Sequence, residues 1–167
     1  MTTRKHLIIG TGPAGLSALE AIRRITLQDE VKLVSLEDTL PYYPAALPYL
    51  LSGKITEDQL WMRDENYFRN KKSTLVRGKE VTQVLPEKQR VIYRDGSSEN
   101  YDTLLIATGA ESMRPQIHGL EEVGAHDFRT LTDCRRILSE LNDKKSAILG
   151  AGLVGMKIAA ALLERGC

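Results

Sequence analysis

The chain has 167 residues, of which 42% are hydrophobic and 27% charged; 23 Lys plus Arg oppose 22 Asp plus Glu, for a formal net charge of +1. This is the composition of a globular protein with a buried core, long enough for one full domain and a little more. The balanced charge, with no long run of either sign, excludes nucleic acid and anionic membrane as expected partners. Cys134 and Cys167 form neither a C-x-x-C pair nor a disulfide framework, which fits a reducing cytoplasm.

Arg4 and Lys5 ahead of Leu7, Ile8 and Ile9 mimic the start of a secretory signal, but Gly10, Gly12, Pro13 and Gly15 break the apolar stretch at once. No run approaches the roughly 18 to 20 apolar residues that span a bilayer, so a soluble, unprocessed protein is expected. Leu7 to Ile9 predict a strand buried on both faces. After the glycine turn, Leu16, Leu19, Ile22 and Ile25 predict a helix from about Pro13 to Ile25, with Glu20, Arg23 and Arg24 on its polar side. Val31 to Leu36 predict a second buried strand ending at Glu37. Strand, glycine turn, helix and strand make a βαβ unit with parallel strands.

Pro41 to Lys54 show no clean periodicity. Thr56 with Gln59 three residues on reads as a capping box, predicting a helix to about Asn70. Past Ser73 the period changes to two. Val81 to Leu85 and Arg90 to Arg94 predict antiparallel strands, with Asp95-Gly96 as the turn that follows. Thr103 to Ala107 predict another short apolar strand, ending in Thr108-Gly109. A helix is expected from Thr130 to Leu141. About 140 residues after the first loop the opening pattern returns: strand Ala147 to Leu149, Gly150-Ala151-Gly152-Leu153-Val154-Gly155, then helix Met156 to Glu164.

The glycines of the first loop have separate tasks. Gly10 permits the tight turn out of the strand, Gly12 lets a pyrophosphate approach the backbone, and Gly15 lets helix and sheet pack closely. Pro13 suits the first helical turn, where its missing N–H is no loss. The helix N-terminus offers free N–H groups and partial positive charge to phosphates. Glu37 lies roughly 20 residues past Gly15, the spacing of an acid that holds ribose hydroxyls. A tight glycine turn without a ligand is the bland alternative, disfavoured because strand, helix and acid all agree with the dinucleotide reading.

With the second loop and the segment Tyr101-Asp102-Thr103-Leu104-Leu105-Ile106-Ala107-Thr108-Gly109, the chain resembles the FAD-dependent pyridine nucleotide-disulfide oxidoreductases. It is most similar to the branch of NADH oxidases, coenzyme A disulfide reductases, rubredoxin and ferredoxin reductases, and nitrite reductase flavin domains. The resemblance implies an α/β fold: a Rossmann-like FAD-binding domain with a central parallel sheet and a three-stranded antiparallel meander over residues 1–110. It further implies a connection over 111–145 and, over 146–167, the first βα unit of an NAD(P)-binding domain. Gly10, Gly12, Pro13, Ala14 and Gly15 would hold the FAD pyrophosphate and Glu37 the adenosine ribose, one position later than in several members, where the acid would fall on Leu36. Val81 would contact the adenine through its backbone, Thr108 and Gly109 would lie near the FAD phosphates or ribityl chain, and Gly150, Gly152 and Gly155 would bind NAD or NADP.

The chain departs from that family where a redox cysteine precedes an alanine-leucine-proline-tyrosine stretch. Here the stretch is Ala46-Leu47-Pro48-Tyr49 and the preceding residue is Ala45. The C-x-x-x-x-C of glutathione reductase-like enzymes is also missing, so the usual route to a mixed disulfide or sulfenic acid is absent. The arginine and lysine of the ferredoxin reductases are replaced by Pro44 and Tyr49, and Lys54 is not expected to take their place. Tyr42, Tyr43 and Tyr49 either line the isoalloxazine pocket or pack as an ordinary loop. Cys134, despite Arg135 and Arg136 beside it, reads as a half-buried helix cysteine, and His6, His118 and His126 have no ligand spacing.

Two functions stand at this point. One is an NAD(P)H oxidoreductase passing hydride to FAD and electrons to a protein or small acceptor, with no catalytic side chain on this stretch. The other is an accessory flavin electron-transfer subunit of a larger redox complex. The full-length protein is expected to be a homodimer or a complex subunit. This stretch alone, lacking the late segment that holds the ribityl chain in the family, is expected to bind FAD weakly and not to turn over.

Overall fold

The computed structural model describes residues 3–141 and 145–167; residues 142–144 of the expected connection, like residues 1 and 2 of the first domain, lie outside it. The described chain divides into two compact units, one of residues 1–42 and 62–109, the other of residues 43–61 and 110–167.

The first unit is built on a four-stranded parallel sheet. Its strands are β1 (Lys5–Ile9), β2 (Glu30–Val34), β3 (Ser73–Val76) and, at the far edge, β7 (Thr103–Ile106), in the spatial order β3-β2-β1-β7. Ile8 lies opposite Leu33 on one side and Leu105 on the other. Three further strands, β4 (Val81–Leu85), β5 (Arg90–Tyr93) and β6 (Ser98–Asn100), form the separate antiparallel meander expected from the family.

Alternation along β1 assigns the layers. Ile8 faces helix α1 (Pro13–Ile25) and packs with Leu16, Leu19, Val31, Leu33 and Phe68 of helix α3 (Glu65–Asn70). Leu7 and Ile9 face the other way, joining Val34, Val91, Tyr93 and Tyr101 under the meander. Successive residues of a strand point to opposite faces, so a sheet covered on both sides needs the unbroken apolar run that β1 shows.

α1 has the predicted bounds, but its last turn departs from the pattern. Ile25 is 87% exposed. A strict three-residue spacing drifts by about 60° per step against a 3.6-residue turn, which carries Ile25 off the face that Leu16 and Leu19 bury. Arg23, expected on the polar side, is buried. Its guanidinium donates to the carbonyls of Lys71 (2.5 Å), Lys72 (2.8 Å), Asp29 (2.9 Å) and Thr26 (3.3 Å). The buried cation is thus satisfied by backbone, and it fixes the turn into β3 where Lys72 has φ of 47°.

In the second unit, helix α2 (Leu47–Ser52) follows a 3-10 turn at Pro44–Ala46, and helices α4 (Leu131–Glu140) and α5 (Leu153–Glu164) both pack on it. Leu47, Leu51, Leu60, Leu131 and Cys134 are its most buried side chains. Pro48 in the first turn of α2 starts the helix rather than breaking it, which is why the proline-rich stretch showed no periodicity. The helix expected from Thr56 to Asn70 is two elements: a 3-10 turn at Glu57–Leu60, where Gln59 Oε1 accepts from Thr56 N at 2.9 Å, and α3, with its own N-cap at Asp64. Residues 147–149, expected as a strand, join no ladder, because no neighbouring strand among the described residues offers them hydrogen bonds.

Candidate functional site

The four parallel strands end on one side of the first unit, where Gly10, Gly12, Gly15, Thr108 and Gly109 lie just past β1 and β7. Gly10 follows β1 with φ of 111°, a conformation for glycine, and a Cβ on it would lie 2.1 Å from the Ala107 carbonyl oxygen. A Cβ on Gly15 would lie 2.1 Å from the Gly10 carbonyl oxygen, so the first turn of α1 sits directly on the loop. Gly12 differs from both. It is the N-cap of α1 with φ of −69° and ψ of −175°, and a Cβ there would meet nothing within 4 Å. No side chain caps the helix, and Pro13 and Ala14 are exposed. Two glycines therefore shape the loop and the third leaves open space before uncapped N–H groups, which suits a phosphate.

Ala107 N donates to Ile9 O at 2.8 Å, which brings Thr108 and Gly109, both exposed, against the glycine loop. The chain leaves β1 toward β2 on one side and meets β7 on the other, so this is where the strand order reverses, the place where open α/β sheets bind ligands.

On the β2 side the ladder ends at Val34, two residues before the expected Leu36, yet pairing continues through loops. Ser35 N donates to Val76 O at 2.8 Å, Lys79 N to Ser35 O at 2.9 Å and Gly78 N to Glu37 O at 3.2 Å. These bonds bring Glu37 to the segment that leads into Val81, the first residue of β4. Leu36 is 64% exposed, whereas the Glu37 carboxylate accepts from the Tyr42 hydroxyl at 2.8 Å. Tyr42, read from sequence with the tyrosines of the loop, is buried and serves to orient Glu37; a buried phenol needs such a partner, which is the signal that links the two.

The second loop repeats the backbone dihedrals of the first. Gly150 has φ of 109°, Gly152 caps α5 with φ of −74° and ψ of 178°, and a Cβ on Gly155 would lie 2.2 Å from the Gly150 carbonyl oxygen. Met156 N donates to Gly152 O at 2.9 Å, as Leu16 N donates to Gly12 O at 3.0 Å. Gly150 and Gly152 have nothing within 4 Å of a Cβ.

Ala45, at the position of the family's redox cysteine, is exposed in the 3-10 turn before α2. Cys134 is fully buried, its Sγ 3.8 Å from the Leu47 carbonyl oxygen, and burial pushes its thiol up to about 11 despite Arg135 nearby. Lys54 pairs with Glu164 at 2.6 Å. His6 bridges Thr103 (2.5 Å) and Asp29 (3.1 Å) at the opposite ends of the strands, and no metal-binding group of His, Cys, Asp and Glu exists among the described residues. No described helix is long and apolar enough to cross a membrane.

Comparison with known proteins agrees with the geometry. The chain is 37% identical over 164 residues to the epsilon subunit of NADH-dependent phenylglyoxylate dehydrogenase from Aromatoleum evansii, covering 97% of this chain and 39% of the relative. It is 33% identical over 171 residues to an NADH oxidase of Methanocaldococcus jannaschii, covering 97% of this chain and 38% of that protein. The chain thus spans about two fifths of the length of these relatives. A solved NAD-dependent persulfide reductase from A. fulgidus superposes with a TM-score of 0.87 at 30% identity, over 96% of this chain and 32% of that one. Residues 4–167 match the model of the pyridine nucleotide-disulphide oxidoreductases, a family that binds FAD and NAD(P)H, and the chain belongs to that family.

Proposed function

We propose that the chain is the FAD-binding part, and the opening of the NAD(P)H-binding part, of an oxidoreductase that hands electrons to a protein or small acceptor without a thiol beside the flavin. The observation that supports this best is one loop geometry formed twice, at Gly10–Gly15 and Gly150–Gly155. In this reading residues 1–110 are the FAD domain, 111–145 the connection, and 146–167 the start of the NAD(P)H domain. The bound cofactors supply the chemistry, hydride passing from nicotinamide to flavin.

The protein's residues bind and orient. Gly12, Pro13 and Ala14 present the uncapped helix end to the FAD pyrophosphate, with Gly10 and Gly15 fixing the turn beneath it. Glu37, held by Tyr42, accepts from the adenosine ribose hydroxyls. Val81 offers backbone to the adenine, and Thr108 with Gly109 closes the phosphate side. Gly150, Gly152 and Gly155 do for NAD or NADP what the first three do for FAD. No side chain on this stretch is proposed as an acid or base. The free thiols of Cys134 and Cys167 match a cytoplasmic setting.

A second reading, an electron-transfer subunit of a larger complex, is favoured by Ala45 together with the 37% identity to a protein named as a subunit. The test is anaerobic addition of NADH or NADPH to a full-length protein that includes this chain, loaded with FAD. Bleaching of the flavin band is expected, and an artificial dye should then be reduced. Bound FAD that neither nucleotide bleaches would contradict the main reading. Turnover with the dye but none with oxygen, together with co-purifying redox subunits, would favour the second.

A further inference from the structure

Helix α5 carries the second glycine loop at its N-terminus, and at its other end two consecutive residues reach the same turn of the second unit. Arg165 Nε donates to the Leu51 carbonyl at 2.7 Å and Nη2 to the Leu50 carbonyl at 3.4 Å. The guanidinium lies over Gly53, whose φ is 80° and whose missing Cβ would be 3.2 Å from Nη2. Glu164 accepts from Lys54 at 2.6 Å. Beneath these contacts Leu50 and Leu51 of α2 and Ala161 and Leu162 of α5 are buried.

The last carbonyls of a helix have no partner within it, and a cation there also meets the negative end of the helix dipole. Arg165, more than a hundred residues away in sequence, supplies both to α2. The Lys54–Glu164 pair is half exposed, so its own contribution is small and the arginine is the main strap.

We propose that Arg165 is a positioning residue that ties α2 to the second nucleotide loop, so that nucleotide on Gly150–Gly155 sets the placement of the Pro44–Ser52 segment. This rests on the reading of that loop as the NAD(P)H site. α5 is a straight rod of about 18 Å by its 1.5 Å rise per residue. Phosphate at its N-terminus orients it, and α2 then follows, or the Arg165 bonds break. A ligand moves an equilibrium only by its differential affinity for the two states, and this strap gives α5 and α2 a shared one.

The chain's single tryptophan, Trp61, closes the 3-10 turn Glu57–Leu60, whose Leu60 carbonyl accepts from Tyr43 N at 3.0 Å just ahead of this segment, and it serves as the reporter. The experiment titrates a full-length protein that includes this chain, with any tryptophan other than Trp61 replaced by phenylalanine, with NAD+ and, separately, NADP+, following heat of binding and Trp61 emission in parallel. A saturable emission change that tracks the heat is expected. Arg165→Met should keep the binding heat and lose most of the emission change, and Arg165→Lys should restore part of it. If Arg165→Met fails to fold by circular dichroism, the milder Arg165→Gln, which keeps an N–H donor but no charge, must lower the emission change with binding intact. Heat without any Trp61 response, or a full response in the variant that folds, overturns the inference alone. No heat with either nucleotide overturns the reading of the second loop and the inference with it.

Discussion

Gly10 and Gly12 belong to one motif, yet their surroundings predict opposite failures. A side chain on Gly10 combines φ of 111° with a 2.1 Å approach to Ala107 O. Gly10→Ala should therefore cost at least about 1–3 kcal/mol in the strained backbone alone, read by chemical denaturation. Gly12→Ala has ordinary dihedrals and open space, so its stability loss should stay within about 1 kcal/mol, while FAD affinity falls. Equal destabilisation by both would contradict this division of labour. Cys134 gives a pH test. Its folded thiol is raised by burial to about 11 from an ordinary 9.0, so the unfolded chain loses that proton first. Stability should fall as pH rises from about 9 through about 11, and Cys134→Ser should flatten that slope in unfolding curves measured across the window. The glycine spacing was legible as sequence, because backbone conformation at those positions depends on one residue type. The tasks of Tyr42, Arg23 and Arg165 were not, because each acts on a partner brought close only by folding.

Among elements, those with a local signal are placed as the sequence implies. α1 has proline at its start and basic residues in its last turn, and β4, β5 and β7 follow their apolar patterns and turns. α4 is another: the Thr130 hydroxyl accepts from Asp133 N at 3.1 Å, and the Asp133 carboxylate accepts from Thr130 N at 2.8 Å. Thr130→Ala should cost about 1 kcal/mol in thermal or denaturant unfolding, and an unchanged midpoint would show the box to be idle. The elements that escaped have signals set by their neighbours. β3 is four residues long and exists through its ladder to β2, from Val31 opposite Ser73 to Val34 opposite Val76. α2 is six residues whose Pro48, with Pro41 and Pro44 ahead of it, mimics a loop. Residues 147–149 carry a strand pattern with no strand to pair with among the described residues, so pattern alone did not make an element.

At the scale of the whole molecule, the first unit is a sheet covered by helices on one face and a meander on the other, and its candidate site lies where strand order reverses beside Gly10. The internal repeat was the most informative feature of the sequence, and the matched dihedrals of the two loops, with the matched close approach of Gly15 and Gly155, give it physical content. What the repeat does not carry is the acceptor, since that depends on residues around Ala45 and on contacts made by the longer relatives. The central claim is that the two loops serve two different dinucleotides. Its most direct test is calorimetric titration of FAD and of NAD+ into the chain and into Gly12→Val and Gly152→Val, both at positions where a side chain meets only open space. FAD should bind the chain weakly but saturably, Gly12→Val should abolish that and spare NAD+, and Gly152→Val should do the reverse. Wild-type binding of both ligands by both variants would contradict it.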